Sequence, residues 1–321
     1  MITHTLSLDA ADGTLLHGFL IAPEHPDSVL VIAHGMAEHA GRYQPLAQWL
    51  AARGVAVIAC NHRGHGPEGP IDTLGHYDDH NGWQKVTDDL HQVLQHARRL
   101  YPERPVRLLG HSMGSFIAQS VAQQYPDSLD ALILSATNRI HRPELVPSRL
   151  LVGLIRAFRG RRYRSPLIAS LTFGKFNRAF APARTDHDWL SRDPDQVDRY
   201  LADPHCGFLC TAGLWYDFLG GMLAIRPEWW RRDLPVHLFG GSRDPVGEMG
   251  RGLRAHFQAI RDAGVQSVTL RLFDGGRHEM LNETNALDVW QYLAGLCQAR
   301  PNSTDSGPVG AAAPPANGVA Y

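Results

Sequence analysis

Six short apolar runs punctuate the chain, at 28–33, 55–60, 106–109, 130–135, from 234 onward and at 268–273. Unbroken apolar runs of this length suit strands buried on both faces of a sheet. Between and after them, apolar residues recur every three or four positions over 43–53, 83–100, 116–124, 252–263 and 286–298, the spacing of helices with one buried face. Gly54 closes the first of these helices. Two further strands, 5–8 and 15–20, flank Asp12-Gly13, a pair that predicts a tight type I′ hairpin. Strand alternating with helix implies an α/β fold: a mostly parallel, eight-stranded sheet covered by helices on both faces, with its sites at the carboxyl ends of the strands.

The alternation stops between 138 and 226. That stretch reads as helices and loops inserted into the sheet, so the expected organisation is a core of 1–137 and 227–298 with a helical cap of 138–226. From 299 to 321 the chain is mostly Pro, Gly, Ala, Ser and Asn without apolar periodicity. Such a segment cannot offset its ordering entropy and is expected to be disordered.

Composition narrows the class. With 44% hydrophobic and 20% charged residues, the chain resembles an ordinary soluble protein. No apolar run reaches the roughly 18 residues that span a bilayer. The amino terminus lacks a basic segment followed by an apolar one, so no signal peptide is expected. Four scattered cysteines do not make a disulfide framework, and a reducing cytoplasm is the expected setting. Cys206 and Cys210, four apart, read as one turn of helix. The pairs His34/His39 and His76/His80 lack the H-E-x-x-H pattern of a zinc hydrolase, so neither metal nor cofactor is expected. Nothing points to nucleic acid. Net charge is −1, yet 138–184 holds eleven Lys and Arg against the single acid Glu144. That asymmetry suggests a basic cap surface facing something anionic, with a solvated basic face as the alternative.

The chemistry centres on Gly110-His111-Ser112-Met113-Gly114, set between a strand and a helix. A strand that turns sharply into a helix lifts the central serine out of the sheet, and glycines two before and two after it avoid collisions. A serine hydroxyl needs a base to take its proton and an acid to orient that base. The order serine, acid, histidine points to Asp244 after the strand beginning at 234 and His278 after the last strand. Asp217 and Asp274 are rival acids, and the position after the strand beginning at 234 favours Asp244. Backbone amides of Met36 and Met113 are the candidate oxyanion donors. His34, Gly35, His111, Phe208 and Trp215 are candidates for lining the substrate, although the elbow turns His111 away and a structural role fits it too.

The set His34-Gly35-x-x-Glu38-His39-x-x-Arg42-Tyr43, Arg63-Gly64-His65-Gly66, Gly110-His111-Ser112-Met113-Gly114, Asp188-Trp189-Leu190-Ser191-Arg192-Asp193 and Arg277-His278-Glu279-x-x-x-Glu283 resembles the monoacylglycerol lipase and lysophospholipase branch of the α/β-hydrolases, which includes serine aminopeptidase-like members. The resemblance covers roughly 10–298. It implies a cofactor-free serine esterase acting on single-chain glycerolipids, with Ser112, Asp244 and His278 as its triad and a cap helix, 150–158 followed by Arg159, Arg161, Arg162 and Arg164, that meets anionic membranes. The same triad could instead serve an aminopeptidase or an acyltransferase, and a silent member would be a binding module. The chain departs from the family at Asn61-His62, where Asp-x is usual, and at Pro67-Glu68, where a small polar residue is usual.

Overall fold

The computed structural model describes residues 1–299. The expected disordered tail lies, from residue 300 onward, outside the described residues. Eight strands form one sheet: β1 (Ile2–Asp9), β2 (Leu15–Ala22), β3 (Ser28–Ala33), β4 (Val55–Cys60), β5 (Val106–His111), β6 (Ala131–Ser135), β7 (Val236–Gly241) and β8 (Val268–Phe273). Their order is β1-β2-β4-β3-β5-β6-β7-β8. β1 pairs antiparallel with β2 and β2 antiparallel with β4, and every later pair is parallel.

Core helices α1 (Gln44–Ala51), α2 (Gly82–Leu100) and α3 (Met113–Gln124) follow β3, β4 and β5. Between β6 and β7 come only helical elements: α4 (Arg142–Arg159), α5 (Pro166–Leu171), α6 (Phe173–Asn177), α7 (Pro194–Ala202) and α8 (Ala212–Ala224). α9 (Arg251–Asp262) and α10 (Ala286–Gln298) complete the core. One face of the sheet packs on α2, α3 and α9, the other on α1 and α10. β3, β4 and β5 are buried along their whole length, as their unbroken apolar runs require. Each fully buried side chain such as Leu30, Ile58 or Leu108 contributes about 1.5–3 kcal/mol of transfer free energy.

Two local expectations need correction. The opening hairpin is not a two-residue type I′ turn: only Gly13 has positive φ, and Gly13 N–H donates to Ala10 O while Ala10 N–H donates to Thr14 O. One residue more than a two-residue loop is thus accommodated, with Gly13 in the left-handed position. Cys206 and Cys210 do not share a helical turn either. They lie in the irregular link between α7 and α8, where Gly207 at φ +68° breaks any helix.

The chain leaves β3 for β4 on one side and returns to β5 on the other, so β3 and β5 are neighbours whose following loops diverge. A crevice opens at the carboxyl ends of strands where the order reverses in this way. His34 and Ser112 immediately follow these two strands.

Candidate active site

Ser112 sits between β5 and α3 with φ 51° and ψ −118°, a strained conformation for a residue with a side chain. Its glycines are explained by close approach. A Cβ on Gly110 would stand 2.5 Å from Gly114 O, and one on Gly114 would stand 2.1 Å from Ala33 O. The turn is held by Ser112 N–H donating to Ser135 O at 2.9 Å.

His278 Nε2 lies 2.9 Å from Ser112 Oγ, and His278 Nδ1 lies 3.0 Å from Asp244 Oδ1. Asp244 also accepts from Val246 N–H at 2.9 Å, which fixes its carboxylate. The rival acids are engaged elsewhere: Asp217 pairs with Arg161 at 2.7 Å, and Asp274 accepts from Ser242 Oγ at 3.1 Å. Burial alone would lower the His278 pKa, but the Asp244 charge and hydrogen bond outweigh it and raise it above the ordinary value. Other imidazoles nearby go the opposite way. Burial drives His34 well below its usual range, His62 to about 3, and His65 and His111 to about 4. Of these five imidazoles His278 alone has its pKa raised.

The turn after β3 is built around a buried charge network. Glu38 Oε1 accepts from Gly35 N–H at 2.5 Å and from Tyr43 Oη at 2.9 Å. Gly35 N–H is therefore spent, and the next amide, Met36, is the turn's candidate donor to an oxyanion. Met113 opens α3, where amides have no acceptor within the helix and the helix dipole favours negative charge. Gly35 has no room for a side chain, since a Cβ there would lie 2.7 Å from Glu38 Oε1. Of the other proposed substrate contacts, His34 is a structural post: Nδ1 donates to Gly35 O at 2.8 Å and Nε2 accepts from His62 N–H at 3.0 Å, leaving no polar atom for a ligand. His111 is tied to Ser135 Oγ at 3.1 Å. Phe208 packs on His65, and Trp215 on Phe173 and Phe218.

Arg42 joins this turn to the loop carrying His278. It donates to Glu38 at 2.8 Å and, through both terminal nitrogens, to Glu279 at 2.7 Å. Burial alone would raise the Glu279 carboxyl, and Arg42 brings it below the usual range. Arg42→Ala would strand two carboxylates in the interior, which should cost about 3–5 kcal/mol of stability. Urea unfolding would measure it, and a loss under about 1 kcal/mol would show the network to be dispensable.

Sequence reasoning overlooked this network's role and the aromatic wall beside the base. The Trp189 ring lies 5.0 Å from that of His278 and packs on Phe173 and Phe176. Its segment, 188–193, is zipped to the base loop by Glu279 N–H donating to Leu190 O at 2.8 Å and by Arg277 donating to Asp188 O and Ser191 O. The family departures at 61 and 68 compensate each other. Asn61 accepts from Ala40 N–H at 2.8 Å and donates to Glu68 at 2.9 Å.

Residues 24–285 match the Hydrolase_4 family, described as serine aminopeptidase, S33. The chain belongs to this family of α/β-hydrolases. It is 27% identical over 270 residues to the monoglyceride lipase of Mus musculus, covering 80% of this chain and 77% of that protein. It is 29% identical over 260 residues to the monoacylglycerol lipase of Mycolicibacterium smegmatis, covering 80% and 83%. Among solved structures, a thermostable carboxyl esterase from Bacillus coagulans in complex with glycerol superposes with a TM-score of 0.84 at 25% identity, covering 92% of this chain and 98% of that one.

Proposed function

We propose that this protein, a carboxylic ester hydrolase, cleaves the ester of a single-chain lipid, monoacylglycerol or lysophospholipid, through an acyl-enzyme on Ser112. The hydrogen-bonded chain Ser112–His278–Asp244 carries the reading. As Ser112 Oγ attacks the ester carbonyl, its proton passes to His278 Nε2. Asp244 steadies the imidazolium, and the amides of Met36 and Met113 receive the oxyanion. His278 then returns the proton to the departing alcohol, and water repeats the sequence to release the fatty acid. The monoacylglycerol lipases among its relatives support the substrate class, as does an aromatic and apolar wall of Trp189, Phe173 and Trp215 suited to an acyl chain.

A peptidase would need an acid free to hold the substrate's amino terminus. Asp217 is paired with Arg161, Asp188 accepts from Thr185 and Arg184, and Asp186 is exposed. Specificity constants on monoacylglycerols, lysophospholipids, short esters and aminoacyl-anilides should therefore rank the long-chain glycerolipid esters first. Anilide hydrolysis at comparable rates would transfer the triad to peptide chemistry.

The stretch 138–226 we assign as a cap over the core of 1–137 and 227–298, serving as lid and membrane contact. α4 exposes Val146, Leu150, Leu154 and Phe158, the last at 84%. The basic end is less available than its sequence suggests. Arg161 donates to Asp78 O and Asp217, Arg164 to Leu209 O, Asp72 O and Leu74 O, and Arg162 to Asp79. Lipid attachment then rests mainly on apolar insertion. Phe158→Ser with Leu154→Ser should abolish co-sedimentation with vesicles, whereas anionic lipid should add little over neutral lipid. Pelleting that vanished on neutral vesicles would instead assign the contact to the arginines. Among the described residues no helix is long and apolar enough to cross a membrane. Four free, buried cysteines suit the reducing cytoplasm in which we place the enzyme.

A further inference from the structure

We propose that His39, Asp203 and Cys206 form a divalent-metal site, suited to zinc, that clamps the link between α7 and α8 onto the turn after β3. His39 Nε2, a carboxylate oxygen of Asp203 and Cys206 Sγ all lie within 4.8 Å of one another. Donor atoms around a tetrahedral zinc stand about 3.3–3.8 Å apart, so small side-chain rotations bring all three donors onto one ion. Imidazole, carboxylate and thiolate together form a borderline-soft set that favours zinc over magnesium or calcium. His205 stands beside the cluster, its Nδ1 being 3.5 Å from the second oxygen of Asp203.

The backbone holds the donors in place without the ion. Cys206 N–H donates to Asp203 O at 3.0 Å, and His205 N–H donates to Asp203 Oδ1 at 2.8 Å, folding 203–206 into a tight turn. Gly207 N–H and Tyr200 Oη both donate to Ala37 O, at 2.9 and 3.0 Å, and so fix that turn against the loop that carries His39. The other three cysteines are placed differently: Cys60, Cys210 and Cys297 pack in the two main apolar cores. The Asp203 side chain is 30% exposed, which leaves the ion a route in. Arg42, the guanidinium facing Cys206, is already neutralised by Glu38 and Glu279. On binding, the Cys206 S–H bond is replaced by a sulfur–metal bond and its proton passes to solvent.

The ion would bridge the proposed cap to the turn holding Met36, and its binding can be read whether or not Ser112 is the nucleophile. The test is titration of the full-length, chelator-treated, reduced protein with cobalt(II), followed by displacement with zinc. One equivalent should produce tetrahedral cobalt absorption with a thiolate charge-transfer band. Cys206→Ser should abolish the band, while Cys210→Ser and Cys60→Ser should leave it unchanged. His39→Gln should weaken zinc binding by at least about tenfold, and it carries the test if Cys206→Ser fails to fold by circular dichroism. A weak octahedral spectrum, a band that survives Cys206→Ser, or unchanged zinc affinity in His39→Gln would reduce the cluster to a His39–Asp203 ion pair beside a buried thiol.

Discussion

Replacing Ser112 with alanine is expected to lower kcat by at least about 10⁴-fold and to abolish labelling by a fluorophosphonate probe. The size follows from the hydrogen-bonded chain: without the Oγ atom, His278 has no hydroxyl to activate and no acyl-enzyme can form. Residual turnover would come from binding and the oxyanion donors acting on water. Thermal stability should change little, because among the described residues the hydroxyl makes a single hydrogen bond, to His278, and alanine keeps the Cβ. Burst kinetics with a chromogenic long-chain ester would follow the acyl-enzyme directly. A variant that kept its label would place the nucleophile elsewhere.

Asp244→Asn should cost a comparable factor, about 10⁴ in kcat, because the amide cannot steady an imidazolium and favours the wrong tautomer of His278. It should also move the pH profile, and the sign can be worked out. In the wild type the His278 pKa is raised, so activity falls on the acid side as pH drops through a value above the ordinary 6.5 or so. Without the Asp244 charge, burial dominates and lowers that pKa, so the acid limb should shift to lower pH. Measuring kcat/KM from pH 5 to 9 in both proteins would reveal it. An acid limb at the same pH in both would mean that Asp244 does not face the base. The direction of this shift is not legible in the sequence, because the opposing effects of burial and a neighbouring carboxylate cannot be weighed without distances.

Much of this was legible in the sequence because it is written locally. Apolar runs marked the strands, and Gly110 and Gly114 announced a turn whose tightness only glycine allows. Asp244 and His278 could be chosen by their place after strands. What escaped was set by contacts between remote segments. Arg42 with Glu279 and Trp189 beside His278 have no spacing rule that links them. The basic run after 158 shows how remote partners change a reading: it suggests a surface for anionic lipid, while carbonyls and carboxylates of both core and cap accept hydrogen bonds from Arg161, Arg162 and Arg164.

The sheet order brings residues 34–38, 112, 244 and 278 to the carboxyl ends of the strands although 166 positions separate the serine from the histidine. Local helices and neighbouring strands can form early, but these partners meet only after the longest loops of the chain have closed. The triad is thus a property of the closed sheet as a whole rather than of any one local segment.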